Sequence, residues 1–430
     1  MLLPSTRREF LRLGAKGVGL LAFSRFAPQF LVQSTLAAPR PEKDRRILVL
    51  VQLAGGNDGL NTVVPFDDPA YHSLRPNLAL KEKDVLRLGD HLGLHPSLAA
   101  FHAMMQEGRL GIVQNVGYPN PNRSHFRSTE IWETASASEE SLSTGWIGRY
   151  LDNACSGPDL APSAAAGAAS RDQTPVAIHI NAEVPQSFGG ARPHNTYGLT
   201  LGARAGRAGR DEVSLLERIA SRPEATLAAH ASHEHESANH AFLRATLMDS
   251  LVAERNIQRI IDQNRPEATY PGGNFAQSLR NVAGLIAAGL STRVYFVSLG
   301  GFDTHANQLN AHANLLRQLS EGLAAFQKDL TARGLDDQVL TMTFSEFGRR
   351  PNENESAGTD HGTAAPLFVM GRRIQGALHG TAPSLKLERN ADLSFSTDFR
   401  SVYATVLDRW LETPADEILG ARHERLGFLG

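Results

Sequence analysis

The run Arg45-Arg46-Ile47-Leu48-Val49-Leu50-Val51-Gln52-Leu53, followed at once by Ala54-Gly55-Gly56-Asn57-Asp58-Gly59, decides how the rest of the chain is read. A continuous β-branched and aliphatic stretch without polar alternation predicts a strand covered on both faces, as parallel strands are. The glycines behind it predict a tight loop at the strand's carboxyl end. Outward from this strand the pattern recurs. A helix over 95–107 leads to a strand over 108–116, and the turn Tyr118-Pro119-Asn120-Pro121-Asn122 leads to a helix with Ser124 near its N-cap. Farther on, 275–288 and 308–333 read as helices, and 293–299, 338–344 and 366–370 as strands. Such alternation predicts an α/β domain over 45–430, a mostly parallel sheet with helices on both faces. The span from about 156 to 270 differs in composition: Ala/Ser/Gly/Pro-rich at first, then helical with many His and Glu over 212–264. It reads as a helical insertion.

Bulk properties exclude some functions. The 430 residues are 41% hydrophobic and 20% charged, enough for a sizeable core. A formal net charge of -2 provides no field to gather phosphate backbone, so nucleic acid is not an expected partner. The single cysteine, Cys155, excludes an intramolecular disulfide.

The N-terminus carries an address. Ser5-Thr6-Arg7-Arg8-Glu9-Phe10-Leu11-Arg12 matches the twin-arginine export pattern, and a moderately apolar stretch over 13–32 follows, then Ser34-Thr35-Leu36-Ala37-Ala38-Pro39. A membrane anchor would need roughly twenty predominantly apolar residues. Lys16, Ser24, Arg25 and Pro28 interrupt this run. Residues 1–38 are therefore read as a signal peptide with cleavage near Ala37 or Ala38, and the twin-arginine translocase as a partner. The expected location is periplasmic or secreted, with no stable transmembrane span in the mature chain.

Ligands of parallel sheets bind beyond the carboxyl ends of the strands. There this sequence concentrates acids and imidazoles: Asp58 after the first strand, Ser124 and His125 after the second, then Asp303 and His305, then Glu346 with Arg349 and Arg350, and finally Asp360 and His361. Such a set suits a divalent ion of mixed carboxylate and imidazole ligation. Each residue has a plainer reading. Asp58 fits a turn residue, and Asp303 and His305 fit helix caps. Glu346 ends an apolar strand and needs Arg349, Arg350 or a cation beside it. Arg349 either clamps an anionic substrate or neutralises carboxylates. His312 falls on the following helix, either at the surface or behind the ligands. The histidines at 230, 233, 235 and 240, interleaved with Glu234 and Glu236, read as a solvated helix face.

Five of these segments carry a family resemblance: Gly55-Gly56-Asn57-Asp58-Gly59-Leu60-Asn61, Asn122-Arg123-Ser124-His125-Phe126, Gly301-Phe302-Asp303-Thr304-His305, Ser345-Glu346-Phe347-Gly348-Arg349 and Gly358-Thr359-Asp360-His361-Gly362. From Arg7 onward the chain resembles the exported bacterial family called domain of unknown function 1501. That family in turn looks like a distant branch of the alkaline phosphatase and sulfatase superfamily. The resemblance implies an alkaline phosphatase-like fold and a metal set of Asp58, Asp303, His305, Glu346, Asp360 and His361, holding zinc, manganese, calcium or magnesium. It also implies catalytic roles for Ser124, the nucleophile, and for His125 and Arg349. Where the superfamily carries an Asp-His doublet, this chain has Glu346-Phe347. A formylglycine-type sulfatase is disfavoured, since Ser124 to Ser128 lacks the required proline and Cys155 the required arginine. The implied function is an exported metal-dependent hydrolase acting on a small anionic ester, phosphate or sulfate. The alternative is a non-catalytic exported binding or assembly protein that retains the fold.

Overall fold

The computed structural model describes residues 45–154, 175–180, 183–192, 194, 196–199, 257, 259–389 and 391–430. The export signal, Cys155 and the histidines at 230–240 lie outside them.

The stretch that opened the sequence reading forms strand β1 (Ile47–Ala54). The other long strands are β2 (Leu110–Gly117), β3 (Ala177–Ile180), β4 (Thr196–Leu199), β5 (Val294–Gly300), β6 (Val339–Phe344) and β7 (Ala365–Met370). The order across the sheet is β2-β7-β6-β1-β5-β3-β4, with short strands Leu378–His379 and Thr397–Asp398 both pairing with β2. β1 runs parallel to β5 and to β6, pairing Leu50 with Phe296 on one side and Met342 on the other. Only β7 is reversed among these long strands, antiparallel to β2 and β6. Its register slips between Ala365 and Leu367, where Pro366 has no N–H to give the ladder.

Because β1 is central, alternate side chains enter different cores. Ile47, Val49, Val51 and Leu53 pack beneath helices α1 (Ala99–Gln106), α3 (Asn274–Ala287) and α4 (Gln308–Ala332). Leu48 and Leu50 face the opposite layer, which includes α2 (His125–Thr134) and α5 (Phe399–Arg409). Trp132 of α2 stacks on Phe399 of α5 at 4.4 Å between ring centroids. Each fully buried aliphatic side chain contributes about 1.5–3 kcal/mol relative to exposure. The sheet with helices on both faces is thus the architecture the sequence predicts.

The span 156–270 is not wholly an insertion. β3 and β4 come from within it and extend the sheet beyond β5, and Ile257, Ile260 and Ile261 join the core under α3. Four-residue strands are too short to stand out by periodicity, which is why composition dominated the reading of this span. Among the described residues, no helix is long and apolar enough to cross a membrane.

Candidate metal centre

All parallel strands present their carboxyl ends at one edge of the sheet. Since β7 is reversed, the segment before it, Gly358 to Ala364, arrives at that same edge. Five segments distant in sequence therefore meet there.

The loop after β1 is shaped by close approach. Gly55 has φ 118°, and a Cβ on it would stand 2.3 Å from the Asp303 backbone nitrogen; at Gly56 (φ 84°) it would stand 2.5 Å from the Phe347 ring. Side chains at either position would push apart the two strand ends that carry the site.

At the centre lies the Asp303 carboxylate, half-exposed. His361 Nε2 is 3.1 Å and His305 Nε2 3.0 Å from its Oδ1, and His125 Nε2 is 3.6 Å from Oδ2. One donor atom each from His125, Asp303 and His361 lie within 4.8 Å of one another. His305 Nε2 stands 3.0 Å from His361 Nε2. On every ring the other nitrogen faces an oxygen: His125 Nδ1 the Glu346 Oε1 at 2.8 Å, His305 Nδ1 the Asp360 Oδ1 at 3.2 Å, and His361 Nδ1 the Arg123 carbonyl at 2.9 Å. With hydrogen on Nδ1, as those acceptors favour, each ring turns its Nε2 lone pair toward Asp303. Lone pairs from separate elements thus converge on one carboxylate. Bonds of about 2.0–2.1 Å to a tetrahedral zinc-like ion separate donor atoms by about 3.3 Å, in keeping with this spacing. The donor set fits a divalent metal ion.

Behind the rings the sequence candidates sort into different tasks. Glu346, nearly fully buried, accepts from Gly55 N–H at 2.8 Å and from His125 through one oxygen, while Oε2 has no hydrogen-bond partner. That hydrogen bond holds the His125 pKa above its ordinary value against partial burial. Asp360 orients His305 and is itself held by Asn354 at 3.1 Å. Glu346 and Asp360 therefore stand behind imidazoles, outside the His125, Asp303 and His361 set. Phe347 packs its ring 4.8 Å from that of His125.

Arg349 is not placed to clamp a substrate. It is buried and donates Nε to Gly56 O at 2.8 Å, Nη1 to Thr359 O at 2.8 Å, and Nη2 to Gly55 O, to Phe302 O at 3.0 Å and to Asp303 Oδ1 at 2.6 Å. The guanidinium ties three loops together and aims the Asp303 carboxylate. Desolvation would raise the Asp303 pKa, but the Arg349 hydrogen bond and the neighbouring charges bring it down to about 2.

Asp58 is not brought to this centre. It is buried beside Arg75, whose Nη1 donates to Oδ2 at 2.6 Å, and Gln308 Nε2 donates to the same oxygen. Burial works to raise its pKa, and the Arg75 charge and hydrogen bond outweigh it, leaving the pKa lowered. His312 and His95 lie nearby, and burial pushes both down to about 4. Thus His312 sits behind the site, not at the surface. The partnership with Arg75 escaped the sequence reading because that arginine belongs to none of its motifs.

Ser124 is the N-cap of α2 and exposed, but its side chain does not cap the helix; its backbone N–H donates to Asn122 Oδ1 at 2.8 Å.

The sequence matches, over residues 45–419, the family profile described as "Protein of unknown function (DUF1501)". No curated protein matches. Among solved structures, the chain is similar to the C-terminal periplasmic domain of EcEptC from Escherichia coli in complex with Zn (10% identity, 77% of this chain and 75% of that one, TM-score 0.32). It is also similar to the alkaline phosphatase from the Antarctic bacterium TAB5 (10% identity, 76% and 92%, TM-score 0.29) and to a protein in the alkaline phosphatase superfamily from Vibrio parahaemolyticus (9% identity, 81% and 69%, TM-score 0.32). Likenesses of this size say nothing about chemistry, which rests on the residues above.

Proposed function

The chain belongs to the DUF1501 family of proteins of unknown function, and from its own residues we propose that it is a metal-dependent hydrolase of phosphate or sulfate esters, with Ser124 as nucleophile. The observation that carries this reading is the convergence of the His125, His305 and His361 Nε2 atoms on Asp303 while every Nδ1 is turned to an oxygen. His125, Asp303 and His361 would hold the ion, with His305 beside them. An imidazole majority suits zinc or manganese better than calcium or magnesium, which prefer oxygen. Bound there, a divalent ion supplies Lewis-acid polarisation of an ester oxygen and offsets negative charge that builds during displacement.

The remaining tasks fall to the chain. Ser124 stands between Arg123, whose carbonyl accepts from His361, and His125. Its side chain does not cap α2, which leaves its Oγ available to an ester. The first N–H groups of α2 add partial positive charge for an anionic ester. The N-terminal pattern Arg7-Arg8-Glu9-Phe10-Leu11 supports export by the twin-arginine translocase to the periplasm or beyond.

The test is turnover of p-nitrophenyl phosphate and p-nitrophenyl sulfate by the metal-loaded protein and by Ser124→Ala. The expected result is metal-dependent turnover that falls by on the order of 10³-fold or more in Ser124→Ala with metal content kept. Full activity in that variant would remove Ser124 as nucleophile, and wild-type protein inert toward a broad ester panel would favour the binding-protein alternative.

A further inference from the structure

The superfamily resemblance implies a metal set that includes Asp58, and the surroundings of Asp58 do not fit a metal. Its Oδ2 is taken by Arg75 at 2.6 Å and by Gln308, and both members of the ion pair are nearly inaccessible, at 0% and 1% side-chain exposure. Arg75 has no freedom to withdraw. Its Nε donates to Pro351 O at 2.8 Å, Nη2 to Arg350 O at 2.9 Å, and Nη1 also to Asn61 Oδ1 at 2.9 Å, an oxygen held in turn by Tyr71 Oη at 2.8 Å. Asp58 Oδ1 is left without a hydrogen-bond partner.

Among the described residues, Asp58 lies in no cluster of metal-ligating atoms like the one around Asp303. The nearby imidazoles spend their nitrogens differently. His312 Nε2 meets Asn57 Oδ1 at 3.0 Å, and that nitrogen therefore carries the hydrogen. His95 Nδ1 accepts from Ser97 N–H at 3.1 Å, so its hydrogen is on Nε2. A second ion would find one carboxylate oxygen and, across it, a fixed guanidinium of its own sign. Among the described residues, the His125, Asp303 and His361 set is where metal-ligating atoms cluster.

We infer that the centre takes a single metal ion, and that the Arg75 guanidinium is a cation built into the chain, neutralising Asp58 where a second ion would otherwise be needed. This rests on the metal reading of the His125, Asp303 and His361 centre. Arg75 also ties the segment before it to Arg350 and Pro351, which follow the Arg349 that aims Asp303. The neutralising charge is thereby part of the scaffold and cannot be removed by a chelator.

The experiment is metal stoichiometry of the full chain by elemental analysis and native mass spectrometry, after exposure to excess zinc or manganese and removal of unbound ion. One equivalent is expected in the wild type and in Asp58→Asn, and none in His361→Ala. Should Asp58→Asn fail to fold with Arg75 left unpaired, Asp58→Asn/Arg75→Met removes both charges and is expected to keep one equivalent. Two equivalents in the wild type, one of them lost with Asp58, would overturn the single-ion inference and leave the metal reading standing. Zero equivalents in a folded wild type would overturn both.

Discussion

His305 Nε2 and His361 Nε2 stand 3.0 Å apart, although Asp360 and the Arg123 carbonyl claim the Nδ1 hydrogen of each ring. Two lone pairs at that distance repel, and protonating both rings would set like charges against each other. A cation shared between them relieves the conflict. Zinc or manganese at about 100 times its dissociation constant is expected to stabilise the fold by about 2.7 kcal/mol, read as a rise in Tm. Chelation should reverse the rise, and His361→Ala should abolish it; a Tm indifferent to metal in the wild type would count against the centre.

Glu346 acts through His125, to which it is joined at 2.8 Å. Glu346→Gln keeps an acceptor for Gly55 and His125 but removes the charge that makes the ring a better donor. Metal affinity is expected to fall about 10–100-fold, the usual effect of changing a carboxylate behind a metal-binding histidine. Competition against a chelating dye measures it, and an unchanged affinity would deny Glu346 this role.

Arg349 should behave as a positioning residue. Arg349→Met leaves the buried carbonyls of Gly56 and Thr359 without their donor, at a cost of about 1–3 kcal/mol for each group left unsatisfied. Asp303 is half-exposed, so the lost ion pair itself adds little. A lower Tm together with weaker metal binding is expected. A substrate clamp would instead raise KM with Tm and metal content unchanged, and that outcome would return Arg349 to substrate recognition.

Glu133, at the far end of the helix that carries His125, gives a pH prediction. Burial lifts its pKa from 4.5 to about 7, against the hydrogen bond from Ser187 N–H at 3.1 Å. A carboxyl whose folded pKa is raised favours the folded state most when protonated, so its contribution is fully present below pH 4.5 and is lost as pH rises through about 7. The loss is about 3 kcal/mol. Glu133→Gln, which stays neutral, should therefore be more stable than wild type at pH 8 and nearly equal to it at pH 4.5. Denaturant unfolding at the two pH values decides, and a gain of the same size at both would show that charge is not the cause.

The sheet was legible because β1 and β5 are largely apolar runs, and buried parallel strands leave that mark. The edge at which the site lies followed from the same pattern. Partnerships were not legible, since they join residues far apart in the chain: Glu346 to His125 across 221 positions, Gln308 to Asp58 across 250. Asp303, His305 and His361 came out of the sequence as ligands and meet at the centre. Asp58 came out with them on its motif, and only Arg75, an unremarked arginine before Pro76, shows why it stands apart. His125 was grouped with catalysis, and its facing Glu346 could not be seen from spacing.

The reversal of β7 makes the centre depend on chain far from β1. Its N-terminal loop brings His361 to the site edge while the strand itself lies between β2 and β6, which come from opposite halves of the chain. A chain truncated before residue 358 keeps His125 and Asp303 but lacks His361, and is expected to bind no metal at this centre. An ion held there would tie α2, the loop after β5 and the loop before β7 to one point.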